Sequence, residues 1–86
     1  MDNPNLNFYR EQIDSQIIRL LSQRNNLSKQ VKQYKKENNL QIFNAEREQE
    51  IFEKLKQEAK ILNIDSEYLK KVFELIILNS HKLQED

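Results

Sequence analysis

The chain contains no glycine, no cysteine and no tryptophan, and its 86 residues include one proline, one methionine and one histidine. Without glycine there is no P-loop and no dinucleotide-binding fingerprint, both of which need glycine for close approach to phosphate. The usual turn chemistry of β-hairpins goes with it. Without cysteine there is no disulfide framework and no thiolate metal centre, and one histidine among scattered acids makes no convincing metal set. Charge of one sign is missing as well: 14 Lys+Arg balance 14 Asp+Glu, whereas a nucleic-acid binder of this size carries a clear basic excess. No run approaches the ~18 apolar residues of a membrane span. The opening residues MDNPNLNFYREQ show no basic n-region followed by an apolar stretch. These absences point to a soluble, cytoplasmic, all-α protein of one domain over residues 1–86, with no metal, cofactor, nucleic acid or membrane partner.

What remains is helical periodicity. Pro4 suits a first helical turn, with Asn3 and Asn5 beside it as cap candidates. An uninterrupted pattern then runs to Glu37, with apolar residues at Ile13, Ile17, Leu20, Leu27, Val31 and Tyr34 in steps that hold one helix face. Asn38 and Asn39 end it, since asparagine tolerates the left-handed conformation that glycine supplies elsewhere. Leu40–Phe43 reads as a short connection tucked against the bundle. Asn44 caps a second helix with the stripe Ile51, Phe52, Leu55, Ala59 and Leu62. Asp65 caps a third, packing through Leu69, Val72, Phe73, Ile76 and Ile77, and Glu85 and Asp86 fray. The predicted helices cover about 5–38, 45–62 and 65–84. Two helices under ~30 Å cannot cover the apolar face of one nearly 50 Å long, so part of the first helix must meet another chain, most naturally in a homodimer.

Polar residues interrupt these stripes. Arg24 stands where an apolar residue belongs, and Lys35 follows eleven residues later at nearly the same bearing, given about 100° per residue. Glu48, with Arg47 beside it, takes a core-facing position of the second helix, and Ser80 and Gln84 continue the stripe of the third. Singly, each has a plain structural explanation: register setting, snorkelling or a solvated helix end. Together, they give every helix a share in one polar cavity with surplus positive charge, and buried charge must be paired or bind something charged. A small dianion carrying a hydroxyl fits. His81 adjoins Ser80 in sequence, but neighbours on a helix point about 100° apart and make no Ser–His pair; it reads as a surface residue.

Over essentially its full length the chain resembles the all-α, AroQ-type chorismate mutases. The matching segments are IDSQIIRLLSQRNNLSKQVKQYK, NAEREQEI and FELIILNSHKLQ, with Arg24, Lys35, Arg47-Glu48, Ser80 and Gln84 spaced as in the family. The resemblance implies three helices per chain, one long and two shorter, in an intertwined helical homodimer. It also implies conversion of chorismate to prephenate without a cofactor, at two sites each completed by the partner's first helix. It assigns Arg24 and Arg47 to substrate carboxylates, Lys35 to a carboxylate and the ether oxygen, and Gln84 to that oxygen from its other side. Glu48 accepts from the ring hydroxyl, and Ser80 supports carboxylate binding. Asn44 stands near the hydroxyl, where the family often has aspartate.

The resemblance also implies an arginine seventeen residues before Arg24, reaching across the dimer to a substrate carboxylate. That position holds Asn7, and Arg10 comes three residues later, rotated by about 300° and advanced ~4.5 Å along the helix. Either residue is the candidate from the partner chain. Without that arginine the site keeps its ether-oxygen chemistry and binds substrate more weakly. Two other readings stand beside the mutase: isochorismate pyruvate-lyase, on a similar scaffold whose site tends to lack the carboxylate of Glu48, and a non-catalytic helical dimer that only binds a ligand.

Overall fold

A computed structural model describes residues 4–40 and 44–85. Three helices occupy nearly all of it: α1 (Pro4–Glu37), α2 (Ala45–Leu62) and α3 (Ser66–Gln84). Asn3, Gln41–Phe43 and Asp86, on which the cap, the tucked connection and the frayed end partly rested, lie outside the described residues. Leu40 is half exposed. No helix among the described residues is long and apolar enough to cross a membrane.

The helix ends are set by asparagine and aspartate in place of glycine. Asn39 adopts φ 56°, and the Leu40 amide donates to the Lys35 carbonyl at 2.7 Å while the Asn39 amide reaches Lys36 at 3.3 Å. That pair of bonds is a Schellman closure with asparagine in the left-handed position. Asn63, at φ 57°, repeats the device at the end of α2, where the Ile64 amide donates to the Ala59 carbonyl at 2.9 Å. At the other ends, Asn44 Oδ1 accepts from the Arg47 amide at 3.2 Å and Asp65 Oδ1 from the Glu67 amide at 2.9 Å. Each satisfies an amide that the first helical turn otherwise leaves without a partner.

Packing is centred on α3. It lies against both α1 and α2, while α1 and α2 do not pack on each other. The buried apolar residues are few: Leu55 and Ala59 from α2 and Ile77 from α3. The stripe of α1 stays largely open, with Ile13 55%, Ile17 50%, Leu20 62% and Leu27 57% exposed. The chain is correspondingly long, 55 × 24 × 16 Å, with a radius of gyration of 16.1 Å where a compact domain of this length has about 12 Å.

Because Asp65 caps α3 far from any candidate ligand group, Asp65→Ala tests the scaffold by itself. It should destabilise the protein by about 1 kcal/mol, as loss of an N-cap does. Urea unfolding at fixed protein concentration measures this.

Candidate functional site

A cavity of about 590 Å³ opens in the gap between α1 and α2, with α3 as its floor. Arg24, Ser28 and Lys35 stand on the α1 wall, Asn44, Arg47 and Glu48 on the α2 wall, and Ser80, His81 and Gln84 on the floor. Leu27, Val31, Ile51 and Ile77 fill the space between them with apolar surface. Arg24, Lys35, Glu48, Ser80 and Gln84 from the polar stripes, Arg47 beside Glu48, and Asn44, which the resemblance adds, therefore share one cavity. Asn7 and Arg10 do not line it; they sit seventeen and fourteen residues before Arg24, roughly 25 and 21 Å along α1. Asn7 is half-buried and Arg10 exposed.

The helix periodicity explains the convergence. On α3, Ile77, Ser80, His81 and Gln84 recur in steps of three and four, a single ridge. Its two adjacent members face opposite walls: Ser80 bonds to α1 and His81 to α2. Ser80 is buried, and its hydroxyl uses every valence it has. It donates to the Ile76 carbonyl at 3.1 Å and accepts from the Arg24 guanidinium and from Ser28 Oγ, the latter at 3.3 Å. A hydroxyl has one proton and two lone pairs, so all three are spent. Ser80 thus anchors the Arg24 guanidinium at Nη1, with the other N–H groups of the fork outside this bond.

Glu48 meets His81 Nε2 through Oε1, the two side chains 31% and 32% exposed. A carboxylate only accepts, so Nε2 carries the proton. Arg47 turns toward Glu50 on its own helix, Nη1 to Oε2 at 3.3 Å with both side chains 68% exposed. An ion pair that open contributes little and yields readily to a ligand. Asn44 spends its Oδ1 on capping α2 and keeps its amide NH2 as a donor. At the rim, Lys32 Nζ donates to the Glu85 carbonyl at 2.6 Å and Asn79 Nδ2 to Asn25 Oδ1 at 3.0 Å, tying α1 to the end of α3.

Two site residues escaped the sequence reading. His81 is not a surface residue: it is half-buried, lines the cavity and pairs with Glu48. Its signal is the step of four from Ile77, whereas the step of four from Ile76 leads to Ser80. Ser28 is buried. It lies four residues after Arg24, on the same face, and a small polar residue flanked by Leu27 drew no attention.

Arg24, Lys35 and Arg47 face one carboxylate in a cavity with apolar packing between them. This defines an all-helical protein whose cavity carries a surplus of positive side chains. The family follows from comparison: residues 10–85 match the chorismate mutase type II family, and the chain belongs to it. The bifunctional chorismate mutase/prephenate dehydratase of Buchnera aphidicola is 40% identical over 91% of this chain, which spans only 21% of that protein. The chorismate mutase of Methanocaldococcus jannaschii is 31% identical over 86% of this chain and 75% of its own length. No solved structure matches.

The saturated hydroxyl gives a stability prediction. Ser80→Ala strands both the Arg24 guanidinium and the buried Ser28 hydroxyl, and should cost about 1–3 kcal/mol, the range for leaving buried polar groups unpaired. Ser28→Ala removes one acceptor bond and should cost less, about 0.5–1.5 kcal/mol. Urea denaturation of the two variants measures the order.

Proposed function

We propose that this protein is a chorismate mutase, acting in the cytoplasm as a homodimer in the synthesis of aromatic amino acids. The observation that carries the reading is the single cavity to which three helices bring Arg24, Lys35, Arg47, Glu48, Ser80 and Gln84, in a chain of the chorismate mutase type II family. Chorismate is a dianion with a ring hydroxyl, and the rearrangement to prephenate is unimolecular: an ether C–O bond breaks as a C–C bond forms. No nucleophile or cofactor takes part. The residues bind, fold and polarise.

Arg24, fixed by Ser80, and Arg47, released from Glu50, hold the two carboxylates. Glu48 accepts from the ring hydroxyl, with Asn44 alongside. Clamping both ends keeps the enolpyruvyl chain folded over the ring, which converts binding into a near-attack geometry. Lys35 and Gln84 donate to the ether oxygen from two sides and stabilise the negative charge that gathers there as the bond breaks. Leu27, Val31, Ile51 and Ile77 limit water, which strengthens these interactions.

The dimer rests on surface. The accessible area is 7582 Å², against about 5,400 Å² for a compact monomer of this mass. The excess of roughly 2,000 Å² is what one chain of an obligate homodimer buries. Leu6, Phe8, Tyr9, Ile13, Ile17 and Leu20, each at least half exposed, contribute to it from the N-terminal half of α1; on the family resemblance, burial against a second copy would bring Asn7 or Arg10 of that copy to the mouth of the cavity.

Incubation with chorismate should yield prephenate, and pyruvate release from isochorismate should be negligible; the opposite pattern would replace this reading with a lyase. Lys35→Ala should lower kcat by about 10²–10³ with the helical fold intact by circular dichroism, the effect of losing one preorganised donor. Restoring the cation with Asn7→Arg should raise kcat/KM about tenfold or more, since a hydrogen bond to a charged group contributes about 1.5–3 kcal/mol. Sedimentation should give twice the 10.5 kDa chain mass.

A further inference from the structure

His81 is the chain's single histidine, and neither the sequence pattern nor the mechanism above gives it work. It stands one residue from Ser80 on the α3 ridge and reaches the opposite wall, where Nε2 bonds Glu48 Oε1 across 33 residues of sequence. Both side chains are about two-thirds covered, and both line the cavity with Arg24, Lys35 and Arg47. Glu48 lies in the first turn of α2, where a carboxylate is free to swing among several rotamers. Arg47, the cation next to it in sequence, pairs with Glu50 and not with Glu48. The imidazole holds this carboxylate directly, from the opposite helix.

We propose that His81 is a positioning residue for the mutase reaction and sets its preference for a hydroxylated substrate. By holding Oε1, the imidazole presents Oε2 to the cavity in one orientation as the acceptor for the ring hydroxyl. A site with a fixed, desolvated acceptor discriminates strongly against an analogue that cannot donate to it, because the acceptor is then left unpaired. An unfixed carboxylate turns to water and discriminates less.

This inference rests on the mutase reading, and the kinetics separate the two. Wild-type protein that forms no prephenate from chorismate overturns the reading and this inference with it. With an active wild type, His81→Leu should raise KM about tenfold while kcat falls less than threefold, because the hydroxyl contact is made in ground state and transition state alike. The same variant should narrow the preference for chorismate over its 4-deoxy analogue by a similar factor. His81→Gln, which keeps a donor at the reach of Nε2, should recover most of both losses. In a Glu48→Gln background, His81→Leu should add less than a twofold loss. A histidine that merely supports the fold would give equal losses in either background, no recovery with glutamine and an unchanged substrate preference; any of these results, in an active enzyme, overturns the inference.

Discussion

Everything in this molecule depends on α3 being the one element that packs on both of the others. α1 and α2 stand apart, and the space between them is the cavity. Two consecutive residues on α3 turn that arrangement into a defined site. Ser80 closes a three-bond node with Arg24, Ser28 and its own helix, and His81 pins Glu48. A rotation of about 100° between neighbours, which rules out a serine–histidine catalytic pair, is what lets one ridge hold two walls. The node on the α1 side orients a cation and the pair on the α2 side orients an anion acceptor, so the polarity of the cavity follows from the register of a single helix.

The helices themselves were legible from the residues. Periods of three and four placed all three elements within a residue or two, and Asn44, Asn39, Asn63 and Asp65 do at the helix ends what their side-chain chemistry suggests. Arg24, Lys35, Glu48, Ser80 and Gln84 stood out because each breaks an apolar stripe, and a charged residue on a buried face needs a reason; Arg47 came with its neighbour Glu48, and Asn44 with the family resemblance. Ser28 and His81 gave no such contrast. A serine one place from a leucine, and a histidine one place from a serine, look like the polar edge of a stripe. Their significance lies in partners 52 and 33 residues away, which no local pattern contains. Hydrogen-bond saturation at Ser80 was equally out of reach, since it depends on three groups meeting at one oxygen.

The N-terminal half of α1 follows a different logic from the rest. Its apolar residues are too exposed for a finished surface, and the chain is longer and less compact than its length requires. In the homodimer proposed above, such a fold divides its core between intramolecular and intermolecular parts. The intramolecular part, around Leu55, Ala59 and Ile77, is small. In that proposed homodimer, stability and a complete cavity would be properties of the assembly, and position 7 would serve the neighbour's site.

The gap between α1 and α2 also bears on the order in which the molecule comes together. The α2–α3 hairpin closes through a turn of a few residues, whereas the bonds from α1 to α3 span 52–56 residues of sequence, and distant contacts carry the larger loop-closure cost. The hairpin is accordingly the local unit of the fold, and the docking of α1 carries the larger loop-closure cost. On the function proposed above, an anion held by Arg24 and Lys35 on one side and by Arg47 on the other would bridge α1 and α2, which do not pack on each other. Such a ligand would supply the missing packing, and its binding free energy would add to the stability of the closed form.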